Sequence, residues 1–488
     1  MEKLIHWMGF FYAMTTAIFW FRQDLRLSDN PAFLKACDEY DSVLPVYIDD
    51  NDHLDRTLGE ASRAWLHHSL TSLEASLQNL GSDLACYQGA AAQIIETLCT
   101  ELAADAVLWN RCYEPQAIDR DSKIKASLKA RDITAVSENA SLFYEPWQIL
   151  KKDQTPYRVF TPYWKMVYKE GLHRAPCATP SVIPALPKSF QEPLTIDALN
   201  LLPSRTWHTE MLSFWSIGEH AAQKNLASFL GRDGPEDYKD KRDLPAVIGT
   251  SKMSPHLHFG EISPKQIVWQ TLEERPAGEM DKGTETFVKE VVWREFAYYI
   301  MYHFPDTQTK PMFAQFNDFP WREDIAEPLK QWQQGQTGFP IIDAGMRELW
   351  QTGWMHNRVR MIVASFLTKN LLISWQEGER WFRDTLVDAD FASNTMGWQW
   401  ASGCGADAAP YFRIFNPVRQ SEKFDGKAEY IRQWVPELAE LSDKEIHEPW
   451  LLTENKRAGI SYPEPVVDLS ASRQRALDAY AVIKKAKA

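Results

Sequence analysis

From Ala17 to about Tyr144, short apolar runs alternate with longer stretches in which apolar residues recur every three or four positions. The runs AIFWF (17–21), VLPVYI (43–48), LACYQ (84–88), AVLWN (106–110) and ITAVS (133–137) are rich in β-branched and aromatic residues and read as strands. Between them, Ala61–Leu80, Ala91–Leu102 and Asp119–Ala130 carry a helical period. Strands and helices alternating at this spacing imply parallel βαβ units, so the expected class is α/β, a doubly wound, Rossmann-like parallel sheet. Such sheets take ligands at the carboxyl ends of their strands. Residues Ala175 to Arg205 then carry six prolines (Pro176, Pro180, Pro184, Pro187, Pro193 and Pro203), a density that forbids a continuous helix and marks a linker. Beyond it the period is helical almost throughout, as in Glu285–Tyr302, Gly345–Leu349, Asn357–Ile373 and Glu429–Trp434. The expected organisation is an α/β domain over 1–145, a linker over 146–206 and an all-helical domain over 207–488.

Trp7 to Phe21 is largely apolar and imitates a secretory signal, but Lys3 is the only Lys or Arg ahead of it and no small-residue cleavage site follows. With Thr15 and Thr16 inside, it is also too short to span a membrane. Ala17–Phe21 fits a buried first strand better, and Met14 is an alternative start that leaves the place of residues 1–13 in the native chain open. A cytoplasmic protein is expected.

Composition narrows the function. The net charge of −13 excludes a protein that coats nucleic acid by bulk electrostatics, so any DNA site must be a local basic patch. The six cysteines, Cys37, Cys86, Cys99, Cys112, Cys177 and Cys404, lack metal-ligand spacing and fit reduced thiols. Gly403, Gly405 and Ala408 in GCGADAA imitate a dinucleotide-binding fingerprint, but they follow GWQWAS in the helical half, where no βαβ frame exists. No Walker loop is present.

The informative stretch runs from Glu290 to Pro417, through KEVVWREF, GWMHNRVRM, DADFASNTMGWQW and DAAPYFRIFNP. There tryptophans recur beside Arg, Asn and Asp, and a pure core would not hold so many hydrogen-bonding groups unless they satisfied one another or a ligand. These blocks, with FWFRQDLRLSDNPAF near the start and GTSKMSPHLHFGEISP in the middle, resemble the photolyase/cryptochrome family over nearly the whole chain. The resemblance implies an amino-terminal α/β domain that can hold an antenna chromophore, and a helical domain holding FAD. The cyclobutane-dimer photolyases are the closest match in type, which implies a light-driven carbon–carbon lyase acting on damaged DNA, as a monomer with no obligate protein partner.

Residue by residue, the resemblance implies that Tyr238 and the turn Thr250, Ser251, Lys252, Met253 and Ser254 hold the FAD phosphates, although the same turn could simply cap the helix that follows. Arg294, Asn357 and Arg360 continue the cofactor pocket, and Asp388 and Asp390 contact the flavin side. A DxD pair also invites a divalent ion, but with Arg360 as neighbour charge pairing is expected and no metal site. Asn394 faces the reactive ring nitrogen of the flavin, where a neutral amide favours the reduced anion. Glu290, Asn357 and Met361 match the dimer-contacting positions, with Trp293 and Trp400 as walls of the cavity. A dimer inside a duplex must be flipped out to reach a buried flavin, at a few kcal/mol, and aromatic contacts worth roughly 1–3 kcal/mol each offset this. Trp398, Trp375 and Trp321 match a photoreduction chain, the last only after a one-residue insertion before QWQQGQTG. Arg242, Arg358, Arg413 and Lys423 are candidates for the phosphate patch.

Departures from the family pattern matter too. The histidine pair of the (6-4) photolyases is absent; His356 stands alone before Asn357, and satisfied burial is expected for it. Phe287 occupies a place where some members carry tryptophan near flavin and substrate. Ala117 stands where some folate-binding members carry glutamate, which leaves the antenna open between methenyltetrahydrofolate, a deazaflavin and none. The rival function is a cryptochrome photoreceptor signalling to a protein partner. Against it, only 38 residues follow Trp450, where signalling members commonly bear a long tail. A generic flavin oxidoreductase is disfavoured by the missing glycine fingerprint.

Overall fold

Five runs of apolar residues form one parallel sheet: β1 (Thr16–Phe21), β2 (Ser42–Asp49), β3 (Ala85–Gln88), β4 (Ala106–Asn110) and β5 (Thr134–Glu138), in the order β3-β2-β1-β4-β5. Every residue of β1, β2 and β4 is buried. This explains why the strands read as continuous apolar runs, since both faces of a parallel sheet are covered. Alternate residues feed two cores: Phe19 and Phe21 pack on one face, Ile18 and Trp20 on the other. The covering helices are α1 (Pro31–Glu39), α2 (Glu60–Gln78), α3 (Ala91–Leu102) and α4 (Pro115–Ala130).

The molecule is a computed structural model that describes residues 14–485 apart from 51–56, 187–189, 233, 274, 276–279, 409 and 412. The apolar stretch ahead of Met14 and the linker's Pro187 therefore lie outside the described residues.

Two features depart from the sequence expectation. Helix α1 follows β1 closely, begins on Pro31 and is capped by Asn30, whose side chain accepts from the Phe33 N–H at 3.2 Å. The expected linker is not all linker: Phe160–Glu170 forms helix α5, whose buried residues Phe160, Tyr163, Trp164 and Val167 pack into the helical half. The proline-rich part that follows carries a described 3-10 turn, Asp197–Leu199, and an isolated antiparallel bridge from Leu194 to Cys86 of β3.

The helical half begins with Trp207–Ser213 and is organised around the helix Lys282–His303, buried on most of its faces and capped by Asp281, which accepts from the Gly283 and Thr284 N–H groups. Helix Asn357–Ser365 passes into a π-helical turn, Phe366–Asn370, and stops before Ile373. The interruption seats two buried polar residues: the Lys369 Nζ donates to the Arg413 carbonyl at 3.0 Å and Asn370 Nδ2 to Ser472 Oγ at 3.0 Å.

The halves are stapled by the motif after β1. The buried guanidinium of Arg26 donates to the carbonyls of Ser28, Asp29, Ala140 and Gly260, the last from the helical half. Asp29 accepts from the Ser263 hydroxyl at 2.5 Å. Gly260 has φ +68°, and a side chain there would collide with the Gln23 carbonyl, so the close approach requires glycine.

Candidate active site

Helix Lys282–His303 presents Glu290, Trp293, Arg294 and Ala297 on one face, and helix Asn357–Ser365 presents Asn357, Arg360, Met361 and Ala364 with the same i, i+3, i+4, i+7 spacing. Helix Phe391–Ser402 contributes Asn394, Trp398 and Trp400, while Asp388 and Ala389 come from the segment just before it. Together they enclose a cavity of about 490 Å³, with Arg242 and Ser254 also on its wall.

Charges in this cavity are paired, but not completely. Arg242 Nη1 donates to Glu290 Oε1, and Asp243 sits between two arginines, 3.8 Å from Arg242 Nε and 2.7 Å from Arg358 Nη2. Burial raises the Glu290 carboxyl pKa and the adjacent Arg242 guanidinium opposes that rise. Glu290 thus pairs with Arg242 and not with Arg294 one turn along its own helix. Asp388 Oδ2 accepts from Arg360 Nη2 at 2.9 Å and from Ser254 Oγ at 2.6 Å, whereas its Oδ1 is buried without a hydrogen-bond partner among the described residues. Arg294 donates to the Ser141 and Leu257 carbonyls, and its Nε, 3.8 Å from Asp390 Oδ2, is likewise buried and unpartnered. The Asn394 amide donates to Glu379 O and Oε1, both at 3.1 Å. A cavity walled by aromatic and aliphatic faces, with a carboxylate oxygen and a guanidinium N–H left over, fits a planar heterocycle with polar edges such as the isoalloxazine of FAD.

The other expected cofactor residues stand apart from the wall. Asp390 caps helix Phe391–Ser402 at the Ser393 N–H, 2.8 Å, and accepts from Tyr298 Oη at 2.6 Å. Of the Thr250–Ser254 turn only Ser254 reaches the cavity; Lys252 lies over the Trp215 and Trp354 rings, and Met253 is buried in the core. Tyr238 is buried against Phe229 and Phe287. Phe287 therefore supports Tyr238 and does not itself line the cavity. His356 is buried; Nδ1 accepts from the Arg358 N–H at 3.2 Å while Nε2 has no partner among the described residues, so its burial is only half satisfied. Burial lowers its pKa to about 4, which keeps the ring neutral.

Trp398 and Trp375 are buried in one apolar cluster, with Trp321 half-buried against it and packed on Phe319. Of the basic candidates, Arg358 is stacked over Phe424 and Lys423 lies over the same ring, while Arg413 offers its carbonyl to Lys369. The glycines of GCGADAA follow a helix end: Gly403 takes φ +79° after Ser402, and Gly405 packs on Gln399.

Two further cavities are present, one where a parallel sheet is expected to take ligands and one without a signal in the sequence. One, about 160 Å³, lies at the carboxyl ends of the strands among Arg22, Asp50, Ala117 and Arg120, where Arg22 pairs with Asp121 and Arg120 with Asp50. The other, about 760 Å³, is a surface groove in the helical half beside a ladder of three indoles: Trp207 stacks on Trp350 (centroids 6.2 Å, 21°) and Trp350 on Trp381 (6.0 Å, 5°). Trp207 lies far from the other two in sequence and no period links them, so only the fold could reveal the ladder. Among the described residues no cluster of His, Cys, Asp or Glu could hold a metal ion, and no helix is long and apolar enough to cross a membrane.

An α/β sheet is joined to a helical half whose cavity fits a flavin, and comparison with known proteins agrees. Residues 17–181 match the DNA photolyase model and residues 287–482 the FAD binding domain of DNA photolyase. The deoxyribodipyrimidine photo-lyase of Agrobacterium fabrum is 45% identical over 96% of this chain and 98% of its own. Cryptochrome-2 of Arabidopsis thaliana is 37% identical over 94% of this chain and 77% of its own. The crystal structure of a bacterial class III photolyase from Agrobacterium tumefaciens superposes with a TM-score of 0.92 at 44% identity, covering 98% of this chain and 100% of that one. The chain belongs to the DNA photolyase family. It is an enzyme of that family, with FAD as its cofactor.

Proposed function

We propose that the protein repairs cyclobutane pyrimidine dimers in DNA under blue light, receiving the dimer flipped out of the helix between Trp293 and Trp400. The observation that carries this reading is that residues matching the flavin side (Arg294, Arg360, Asp388, Asn394) and residues matching the dimer side (Glu290, Trp293, Asn357, Met361, Trp400) share one cavity. FAD held there by Arg294, Arg360 and Asp388 would supply light-driven electron transfer to and from the dimer, with no net redox change. The protein's own residues do the rest. Trp293 and Trp400 replace the stacking lost on extrusion. Glu290 meets the dimer's carbonyl edge as a hydrogen-bond donor or charge partner, with Arg242 held beside it. Asn394 offers a neutral amide, fixed by Glu379, beside the flavin.

Trp398, Trp375 and Trp321 form the relay that keeps the flavin reduced, supported by their shared cluster and by an exposure that rises only at Trp321. Arg242, Arg358, Arg413 and Lys423 contact the DNA phosphates. The enzyme acts as a cytoplasmic monomer. An antenna chromophore has two candidate places: the indole ladder, whose aromatic faces would hold a planar heterocycle such as methenyltetrahydrofolate by stacking, and the strand-end cavity, where Arg22 pairs with Asp121 and Arg120 with Asp50 but Arg22 Nε and Nη2 are buried without a hydrogen-bond partner among the described residues.

The test is illumination of the purified, flavin-reduced protein with an oligonucleotide carrying one thymine dimer. Recovery of thymine absorbance supports repair; its absence with FAD in place turns the case to a photoreceptor, the activity of the cryptochrome relatives.

A further inference from the structure

The wall residue Trp293 does not stand on its own helix alone. Its indole lies flat on the ring of Phe160, with centroids 3.7 Å apart and planes at 11°, and Phe160 is buried with Phe296 edge-on to both rings. Phe160 is the first residue of α5, the helix inside the expected linker, and its N-cap, Val159, has no side chain able to accept from the first-turn N–H groups. A residue almost 250 positions away lies against this end of the helix: the Asp407 N–H donates to the Arg158 carbonyl at 3.2 Å, and burial raises the Asp407 carboxyl pKa while the neighbouring Phe160 backbone N–H opposes that rise. An anion at a helix N-terminus is favourable there.

Asp407 in turn belongs to the turn that follows the second wall residue. The Gly403 N–H bonds to the Trp400 carbonyl at 3.1 Å, and the Cys404 and Gly405 N–H groups bond to Gln399 at 3.0 and 3.1 Å. Ala406 is buried in the same apolar cluster as Phe160, with Trp293 packed against it. Asp407 holds φ +48°, a left-handed conformation that Asp and Asn tolerate better than most residues. One segment, Arg158–Phe160, thus touches the back of one tryptophan wall and the chain leaving the other.

We infer that Phe160 and Asp407 are positioning residues that fix the separation of Trp293 and Trp400 and so set how tightly a flipped dimer is gripped. The inference rests on the reading of this cavity as the dimer pocket. Neither residue touches the dimer; both act through the tryptophans.

Two variants test it: Phe160→Leu, which keeps apolar bulk but removes the stacking face, and Asp407→Asn, which keeps the left-handed backbone but removes the anion. Binding to oligonucleotides with and without a thymine dimer is measured on FAD-loaded protein, together with KM and kcat for repair at fixed light. The expected result is a Kd for dimer DNA raised about 3- to 10-fold in each variant, with KM raised in parallel, kcat at saturating dimer unchanged and binding to undamaged DNA unchanged. Variants that discriminate dimer from undamaged DNA as well as the wild type overturn the inference, as does a fall in kcat without a rise in KM. A wild-type protein with no preference for dimer DNA overturns the dimer-pocket reading itself, a failure distinct from either of those.

Discussion

The indole of Trp398 lies on Gly378, in helix Trp375–Thr385, so closely that a methyl group at that glycine would overlap the six-membered ring. Gly378 is one turn along from Trp375, on the same face, so the glycine brings the first proposed relay tryptophan down onto the helix that carries the second. Gly378→Ala displaces Trp398 and destabilises the fold by about 1–3 kcal/mol, the usual cost of overpacking. Blue-light reduction of the oxidised flavin by an external thiol slows markedly, while repair by chemically pre-reduced protein is retained. Equal photoreduction rates in variant and wild type exclude Trp398 from the relay.

Glu290 and Arg242 are one unit. Glu290→Ala removes the hydrogen-bonding group and weakens dimer binding by about 2 kcal/mol, while Glu290→Gln keeps a neutral donor and loses less. Arg242→Gln takes away the cation that holds the Glu290 pKa down, so the pH at which dimer affinity falls off moves upward. Titrating affinity against pH in wild type and Arg242→Gln checks the direction.

Each tryptophan wall carries a stacking contact. Trp293→Ala and Trp400→Ala each cost roughly 1–3 kcal/mol of dimer affinity, read by gel shift on damaged and undamaged strands. Loss of binding to both strands alike points instead to a general collapse of the site.

With a net charge of −13, the proposed repair of DNA calls for a local basic patch, for which Arg242, Arg358, Arg413 and Lys423 are the candidates. Binding to dimer DNA weakens steeply with salt, and Lys423→Ala lowers the log–log slope by about 1. Arg358 gives less, because Asp243 already holds its guanidinium at 2.7 Å.

Two buried carboxyls outside the cavity make stability depend on pH. Burial raises Glu295 and Glu348 to about 7 from the ordinary glutamate value. A folded-state pKa above the unfolded one means the folded form binds more protons. Their contribution is therefore complete below about pH 4.5 and lost as pH rises through about 7. Glu295→Gln and Glu348→Gln flatten the fall of Tm between pH 5 and pH 8; a fall as steep as the wild type's would contradict the assignment.

Much of the fold is legible along the chain because each signal is local. The strands at 17–21 and 106–110 announce themselves by continuous apolar runs, and Ala91–Leu102 is a helix with the bounds its period predicts. Most of the cavity is legible for the same reason, as 290, 293, 294 and 357, 360, 361 repeat one helical spacing. What escaped depends on partners distant in sequence. Helix α5 sits beside a proline-rich stretch that reads as linker, yet its start is met by the Asp407 N–H at the Arg158 carbonyl and its apolar face by Trp293. The FRQDLRLSDN motif carries the family resemblance, but Arg26 and Asp29 within it serve the junction and not the chemistry. Phe287 sits beside the right residues and faces the wrong way, which no one-dimensional pattern records.

The four carbonyls gathered by Arg26 have a thermal consequence. Peeling the helical half from the sheet would take the Gly260 carbonyl from Arg26 and the Ser263 hydroxyl from Asp29, two contacts of one buried junction that break together. The α/β half and the helical half should therefore melt in a single step, and neither fragment expressed alone should hold its native shape.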